Sequence, residues 1–208
     1  MSDHYYTNEP ASKESKIKIE LEFRGKGYSF YTGSGVFSKD NLDPGSRLLL
    51  ESLALAEGEV ADIGCGWGPI GIILARENPL AQITMLDINR RAVGLCGENI
   101  ALNGAENAQV LESDGMKALP ENRLFDLIVT NPPIRAGKQV IYGIFRQAYD
   151  RLNSGGALYI VIRKKQGAPS AKAFLSQLFG NCETVNRGGG YWVLRSEKGE
   201  RAEKMEKG

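Results

Sequence analysis

Two short segments about sixty residues apart hold the residue types that could do chemistry. They are Asp62-Ile63-Gly64-Cys65-Gly66-Trp67-Gly68 and Asp126-Leu127-Ile128-Val129-Thr130-Asn131-Pro132-Pro133-Ile134, each tied to an apolar, strand-like run. In the second, the Asn131 side-chain oxygen and the Pro132 carbonyl are two acceptors that could hold a planar, conjugated amine with its lone pair aimed at an incoming group. The prolines fix φ and carry no N–H, so a stiff backbone aims the carbonyl. No strong base is needed, because such an amine becomes acidic only as its new bond forms. Asn131, Pro132 and Pro133 are the candidate catalytic residues. Taken alone, the segment reads as a strand-ending Pro-Pro turn capped by Asn, and the upstream loop is what raises it to a candidate site.

That loop places Gly64, Gly66 and Gly68 on a strand-to-helix turn, where a doubly wound sheet binds its ligand and where glycine lets a ligand approach the backbone. Asp87 follows Asp62 by 25 positions at the end of the next strand, the place of an acid that accepts hydrogen bonds from ribose hydroxyls. A nicotinamide or flavin dinucleotide would use the same pattern. Asp62 sits awkwardly beside a pyrophosphate but suitably beside the ammonium of a methionine, which favours S-adenosylmethionine. Asp114-Gly115, after the third strand, would hold the adenine edge or serve as a plain turn. The candidate cofactor set is Asp62, Gly64, Cys65, Gly66, Gly68, Asp87, Ile88, Asp114, Gly115 and Asn131.

The elements that must position these residues follow from the pattern. Ile17, Ile19, Leu21 and Phe23 alternate with charged residues, and Tyr28-Ser29-Phe30-Tyr31 follows Gly25 and Gly27, which reads as a β-hairpin. Asp43-Pro44 supplies a cap and a first-turn proline for a helix carrying Leu48, Leu49, Leu50, Leu53 and Leu55. Strands over Glu59–Ile63, Gln82–Asp87, Ala108–Glu112, Phe125–Thr130 and Ala157–Ile162 then alternate with helices near Pro69–Glu77, Arg90–Asn103, Val140–Leu152 and Ser170–Phe179. Strands near Glu183–Asn186 and Tyr191–Arg195, joined by Gly188-Gly189-Gly190, close the sheet as a hairpin, and Asn153-Ser154-Gly155-Gly156 reads as a turn. Such alternation predicts an α/β, doubly wound, seven-stranded and mostly parallel Rossmann-like sheet with one antiparallel strand.

The 208 residues, 42% hydrophobic and 25% charged, suit one full core and are too few for two comfortable ones. The expected organisation is a polar arm over 1–16, one domain over 17–196 and a charged tail over 197–208. A formal net charge of +1 argues against a strongly basic nucleic-acid coat and leaves room for a local basic face. Cys65, Cys96 and Cys182 are odd in number and widely spaced, which suggests neither a disulfide framework nor a zinc site and fits a reducing cytoplasm. His4, the only histidine, stands in the arm, away from the candidate site. No basic leader and no apolar run of about 18 residues occurs, so neither secretion nor a membrane span is expected.

Through these residues the chain resembles the amino-group methyltransferases of the class I S-adenosylmethionine fold. Gly35-Val36-Phe37-Ser38, Leu42-Asp43-Pro44-Gly45-Ser46-Arg47-Leu48-Leu49-Leu50-Glu51 and Asn131-Pro132-Pro133-Ile134-Arg135-Ala136-Gly137-Lys138 are similar to the small-subunit ribosomal RNA guanine methyltransferases of the RsmC type, from about Ile17 to Arg195. The resemblance implies methylation of the exocyclic 2-amino group of a guanosine in 16S ribosomal RNA by a cytoplasmic, metal-free enzyme. Its partner would be ribosomal RNA or the small subunit, and it would act as a monomer or homodimer. By matching positions, Asp62, Gly64 and Gly68 would cradle the methionine part, Asp87 the ribose, Asp114 the adenine, and Asn131 with Pro132 the amine. Where many relatives stack an aromatic on the flipped base after Pro-Pro, this chain has Ile134, which makes Phe37 the stacking candidate. Arg135 and Lys138 complete the substrate-binding set. Arg163-Lys164-Lys165 would add to a basic mouth for phosphates, which Arg24, Lys26 and Arg187 could extend. Relatives can carry an additional N-terminal domain for which this chain has no room. Asn-Pro-Pro serves all planar amines, so a methyltransferase acting on a protein glutamine amide or on adenine is the alternative. A silent RNA-binding module and a nucleotide-binding oxidoreductase stand behind it.

Overall fold

The computed structural model describes residues 16–33, 42–54, 57–133 and 136–199. The alternating run at the start forms β1 (Ile17–Phe23), paired antiparallel with β2 (Lys26–Thr32) through a turn at Arg24 and Gly25, φ 50° and 74°. Both residues are left-handed, as the twist of a two-residue hairpin demands. Its inner face buries Leu21, Phe23, Tyr28 and Phe30. The first helix, α1 (Pro44–Glu51), starts as expected, with the Ser46 N–H donating to the Asp43 carboxylate at 2.9 Å and proline in the first turn. It ends short of Leu53, where Ser52 Oγ donates to the Leu48 carbonyl at 2.6 Å.

There follow β3 (Gly58–Ile63), α2 (Pro69–Glu77), β4 (Ala81–Asp87), α3 (Arg90–Leu102), β5 (Ala108–Glu112), β6 (Phe125–Thr130) and α4 (Lys138–Arg151). Then come β7 (Leu152–Arg163), a single 3-10 turn (Lys164–Gln166), α5 (Ala168–Phe179), β8 (Glu183–Gly188) and β9 (Tyr191–Glu197). The seven-stranded sheet has the order β5-β4-β3-β6-β7-β9-β8, with β9 antiparallel to both neighbours. This is the doubly wound sheet with one antiparallel strand that the alternation predicts. The winding reverses between β3 and β6, so the crevice at their carboxyl ends is the switch point where such sheets bind ligands. Helices cover both faces, which is why the central strands are apolar on both sides. The hairpin, α1, α2 and α3 pack on one face around Phe30, Leu49, Ile72, Ile73 and Cys96, while α4 and α5 pack on the other around Phe145, Leu175 and Phe179.

One detail departs from the sequence pattern. Strand β7 begins at Leu152 and takes in the Asn153–Gly156 run that composition marks as a turn. Its backbone is drawn into the ladder: Gly155 N–H donates to the Lys198 carbonyl at 2.7 Å, and Lys198 N–H to the Gly156 carbonyl at 2.9 Å. An ideal Cβ at Gly156 would lie 3.0 Å from the Phe125 carbonyl oxygen, so glycine permits the close approach there. The hairpin stands outside the main sheet as an N-terminal extension, as the sequence pattern predicts. Asn99 on α3 and Asn103 just past it stand in for a neighbouring strand. Tyr31 N–H donates to Asn99 Oδ1 at 2.7 Å and Asn99 Nδ2 to the Tyr31 carbonyl at 3.0 Å, with Asn103 repeating the exchange on Ser29 at 3.2 and 2.7 Å. Side-chain amides thus satisfy an edge that would otherwise be open. No helix among the described residues is long and apolar enough to cross a membrane.

Candidate functional site

The three central strands end in register, Ile63 opposite both Leu86 on β4 and Thr130 on β6. The loop after β3 is tied to β4 by Gly64 and Cys65, whose N–H groups both donate to the Leu86 carbonyl at 2.7 and 3.1 Å. Gly66 N–H donates to Asp87 Oδ2 and Asn89 N–H to Asp87 Oδ1, each at 2.8 Å. Backbone amides thereby fix the Asp87 carboxylate from behind.

Asp62 is fully buried beneath this loop. Its Oδ2 accepts from Gly71 N–H on α2 at 3.0 Å, while Oδ1 meets no donor. Burial pushes its carboxyl up to about 7; the Gly71 N–H pulls against this and the charge of Asp87 adds to it. A buried acceptor without a partner is costly, and a cation brought to Oδ1 would supply that partner and favour the ionised form. Gly64 (φ 74°) and Gly66 (φ 58°) have open space where a side chain would stand. An amino-acid ammonium carried by a nucleoside fits this arrangement, and S-adenosylmethionine is such a molecule. Gly68 (φ 90°) differs: an ideal Cβ there would lie 2.5 Å from Cys96 Sγ, so its missing side chain serves loop-to-α3 packing. Cys65 is buried beside it, and its contact with Cys96 together with burial pushes its thiol well up. Trp67 packs inward, edge-on to Phe30 at 4.8 Å, and Asn99 Nδ2 holds its carbonyl at 2.8 Å. The hairpin is thereby fastened to the back of the cofactor loop.

Ile88, 68% exposed, follows Asp87 at the rim. Asp114 is exposed and ion-paired with Lys117. Gly115 leaves room for Gln147 of α4, an ideal Cβ falling 2.4 Å from its Oε1, and that oxygen accepts Met116 N–H at 2.7 Å. Gln147 is a support that no local sequence pattern marks. On β6, Thr130 Oγ1 donates to the Ile63 carbonyl at 2.7 Å, cross-linking the two strand ends. Asn131 comes next, its Nδ2 donating to Asp43 Oδ2 at 2.9 Å and to Ser46 Oγ at 3.0 Å. Pro132 is buried, Pro133 exposed, and the Pro133 carbonyl accepts Ala136 N–H at 2.9 Å.

The fold thus brings Asp62, Gly64, Cys65, Gly66, Asp87, Ile88, Asn131 and Pro132 to one edge. Lys138 is exposed at the start of α4. Phe37, Ile134 and Arg135 lie outside the described residues. Arg163, Lys164 and Lys165 leave β7 at the same edge, and Arg187 lies near it, 4.5 Å from the Trp192 ring. Arg24 and Lys26 do not extend this rim: both pair with Glu77 at the far end of α2, at 3.9 and 2.9 Å. Among the described residues no group of His, Cys, Asp or Glu could hold a metal ion.

Comparison with known proteins agrees with this geometry. The family model for the methyltransferase small domain matches residues 27–195. The Bacillus subtilis protein YbxB, uncharacterized, is 43% identical over 200 residues, 95% of this chain and 100% of its own length. The large-subunit ribosomal RNA methyltransferase G of Shewanella denitrificans is 36% identical over 173 residues, 80% of this chain and 44% of its own. The structure of the T. thermophilus 16S rRNA N2 G1207 methyltransferase RsmC, in complex with AdoMet and guanosine, superposes with a TM-score of 0.81 at 31% identity, covering 88% of this chain and 50% of that one. The chain therefore spans about half the length of the rRNA methyltransferases it matches. Matched by that family model over most of its length, the chain belongs to the methyltransferase small-domain family.

Proposed function

We propose that this chain transfers a methyl group from S-adenosylmethionine to the exocyclic 2-amino group of a guanosine in 16S ribosomal RNA, acting in the cytoplasm. What carries the proposal is the register of β3 and β6: Ile63 and Thr130 are partners bound through Thr130 Oγ1, so the glycine loop and Asn131 leave the sheet side by side. The guanosine and the 16S target are supported by the RsmC relative, a 16S rRNA N2 G1207 methyltransferase whose structure holds AdoMet and guanosine.

S-adenosylmethionine, when bound, supplies an electrophilic methyl group. Asp62 Oδ1 takes the ammonium. Asp87, fixed by Gly66 and Asn89, accepts the ribose hydroxyls. Ile88 packs on the adenine, and Asp114 with Gly115 borders it. Asn131 Oδ1 and the Pro132 carbonyl accept the N–H groups of the target amine and aim its lone pair; Asn131, which the sequence also puts in the cofactor set, is assigned to the amine alone. The nitrogen loses its proton to water only after its bond to the methyl carbon forms and S-adenosylhomocysteine is released as the leaving group, so no side chain has to act as a strong base. Phe37, Ile134, Arg135 and Lys138 are the proposed contacts to the flipped base and its backbone, with Arg163, Lys164 and Lys165 on the phosphates.

The similarity to the large-subunit enzyme favours a second reading, a target in large-subunit ribosomal RNA. The experiment is transfer of labelled methyl to unmodified small subunits, large subunits, their naked RNAs and total protein, followed by nucleoside analysis. Label in 2-methylguanosine of small-subunit RNA is expected. Label in large-subunit RNA promotes the second reading, and label in adenine or protein overturns guanine as the substrate.

A further inference from the structure

We infer that Asp43 is a positioning residue for Asn131, backed by Tyr191 and Arg163, and that it decides which end of the Asn131 amide faces the substrate. The inference rests on the methyl-transfer reading above and concerns residues that the glycine loop and Asn-Pro-Pro motif do not include.

An Asn side chain at the target amine could present either its oxygen or its NH2, and only the oxygen can accept an N–H. The choice is made by what binds the other end. Asp43 is 7% exposed, and its carboxylate is surrounded by donors: Ser46 N–H at 2.9 Å, Ser46 Oγ at 3.4 Å and Asn131 Nδ2 at 2.9 Å on Oδ2, with the Tyr191 hydroxyl at 3.3 Å on Oδ1. A carboxylate only accepts, so the group facing it from Asn131 must be the NH2. Ser46 Oγ, which spends its proton on Asp43, accepts the second Asn131 bond at 3.0 Å. The NH2 end is thus held twice, and Oδ1 is turned away from the α1 terminus.

The hold is stiffened from behind. Tyr191 donates to Asp43 and accepts from Arg163 Nε at 2.8 Å, with the guanidinium 4.7 Å from the Tyr191 ring. Arg163 closes β7, Tyr191 opens β9 opposite it, and Asp43 precedes α1, so three separate elements converge on one amide. Gly45 makes the convergence possible: an ideal Cβ there would lie 2.7 Å from the Tyr191 ring and 2.9 Å from Asp43 Oδ2.

The test uses variants that keep the helix cap. Asp43→Ser retains a capping oxygen but is too short to reach Asn131. Turnover is expected to fall at least tenfold, with S-adenosylmethionine affinity and the KM for RNA within twofold of wild type; unchanged turnover overturns the inference. Should that variant melt early, a second pair decides. Asp43→Asn should slow the wild-type enzyme yet speed Asn131→Asp, where it removes a like charge; an effect of the same sign in both backgrounds means that Asp43 only caps α1. A readout independent of substrate is the Asn131 side-chain amide resonance in 15N-labelled protein, assigned by its loss in Asn131→Ala. It should shift in Asp43→Ser, and an unshifted resonance overturns the inference. If wild type makes no 2-methylguanosine, the functional reading fails, while this resonance still judges the hold on Asn131.

Discussion

The two halves of the site are built in different ways. The cofactor half is made mostly of backbone: N–H groups of Gly64, Cys65, Gly66 and Asn89 are spent on fixing the loop and Asp87, and one buried carboxylate oxygen is left without a donor. The amine half is made of side chains from distant parts of the chain, with Asn131 held by Asp43 and Ser46, 88 and 85 positions away. A backbone loop can bind any ligand of the right shape, and its selectivity comes from the one group it leaves unsatisfied. A side chain can face two ways, so it needs neighbours to set its orientation.

The largest effect expected from breaking this comparison is at Asp62. Asp62→Ala should weaken S-adenosylmethionine binding by about a thousandfold, on the order of 4 kcal/mol, because the ammonium loses its buried partner. Calorimetric titration reads this. Asn131→Ala should instead spare binding and lower kcat by about 100- to 1000-fold, the scale of removing one group aimed at the reacting centre, which single-turnover methyl transfer measures. If both variants lose both properties, the halves are not separate.

A smaller effect sharpens the link between hairpin and loop. Asn99→Ala removes bonds to Tyr31 and Trp67 at a fully buried position and should cost about 2 kcal/mol, since buried partners are left unsatisfied. Denaturant unfolding checks this, and hydrogen exchange should rise first in Lys26–Thr32 and around Trp67.

The smallest effect is a pH dependence. Asp62, raised to about 7 in the fold, must ionise to meet a cation, so cofactor affinity should fall by about tenfold per pH unit below 7, roughly 1.4 kcal/mol per unit. The stability of the ligand-free protein carries the opposite sign. Between about pH 4 and 7 the folded state keeps a proton that the unfolded chain has released, so this residue lowers stability as pH rises through that window. Asp62→Asn, which cannot titrate, should remove that slope in thermal melts taken across pH.

The contrast between the halves also accounts for what could be read in the sequence. Asp62, the three glycines, Asp87 and Asn131 stand in short local patterns, and the alternation of apolar runs sufficed to place them on parallel strands of one sheet, though not to order those strands. Asp43 reads only as a helix cap, because its second partner is on another strand and no local spacing connects them. The same holds for Gln147 and Thr130. Asn99 and Asn103 left one sign, two amides one helical turn apart flanking the apolar Ile100-Ala101-Leu102. The Asn153–Gly156 run misled because glycine and serine favour turns locally, while pairing with Lys198 outweighed that preference.

The most direct test of the central claim is titration of S-adenosylmethionine into wild type and Asn131→Ala, paired with nucleoside analysis of small-subunit RNA incubated with each. Equal affinity, with 2-methylguanosine formed only by wild type, is the predicted result. Lost affinity in the variant, or 2-methylguanosine formed without Asn131, would contradict the account.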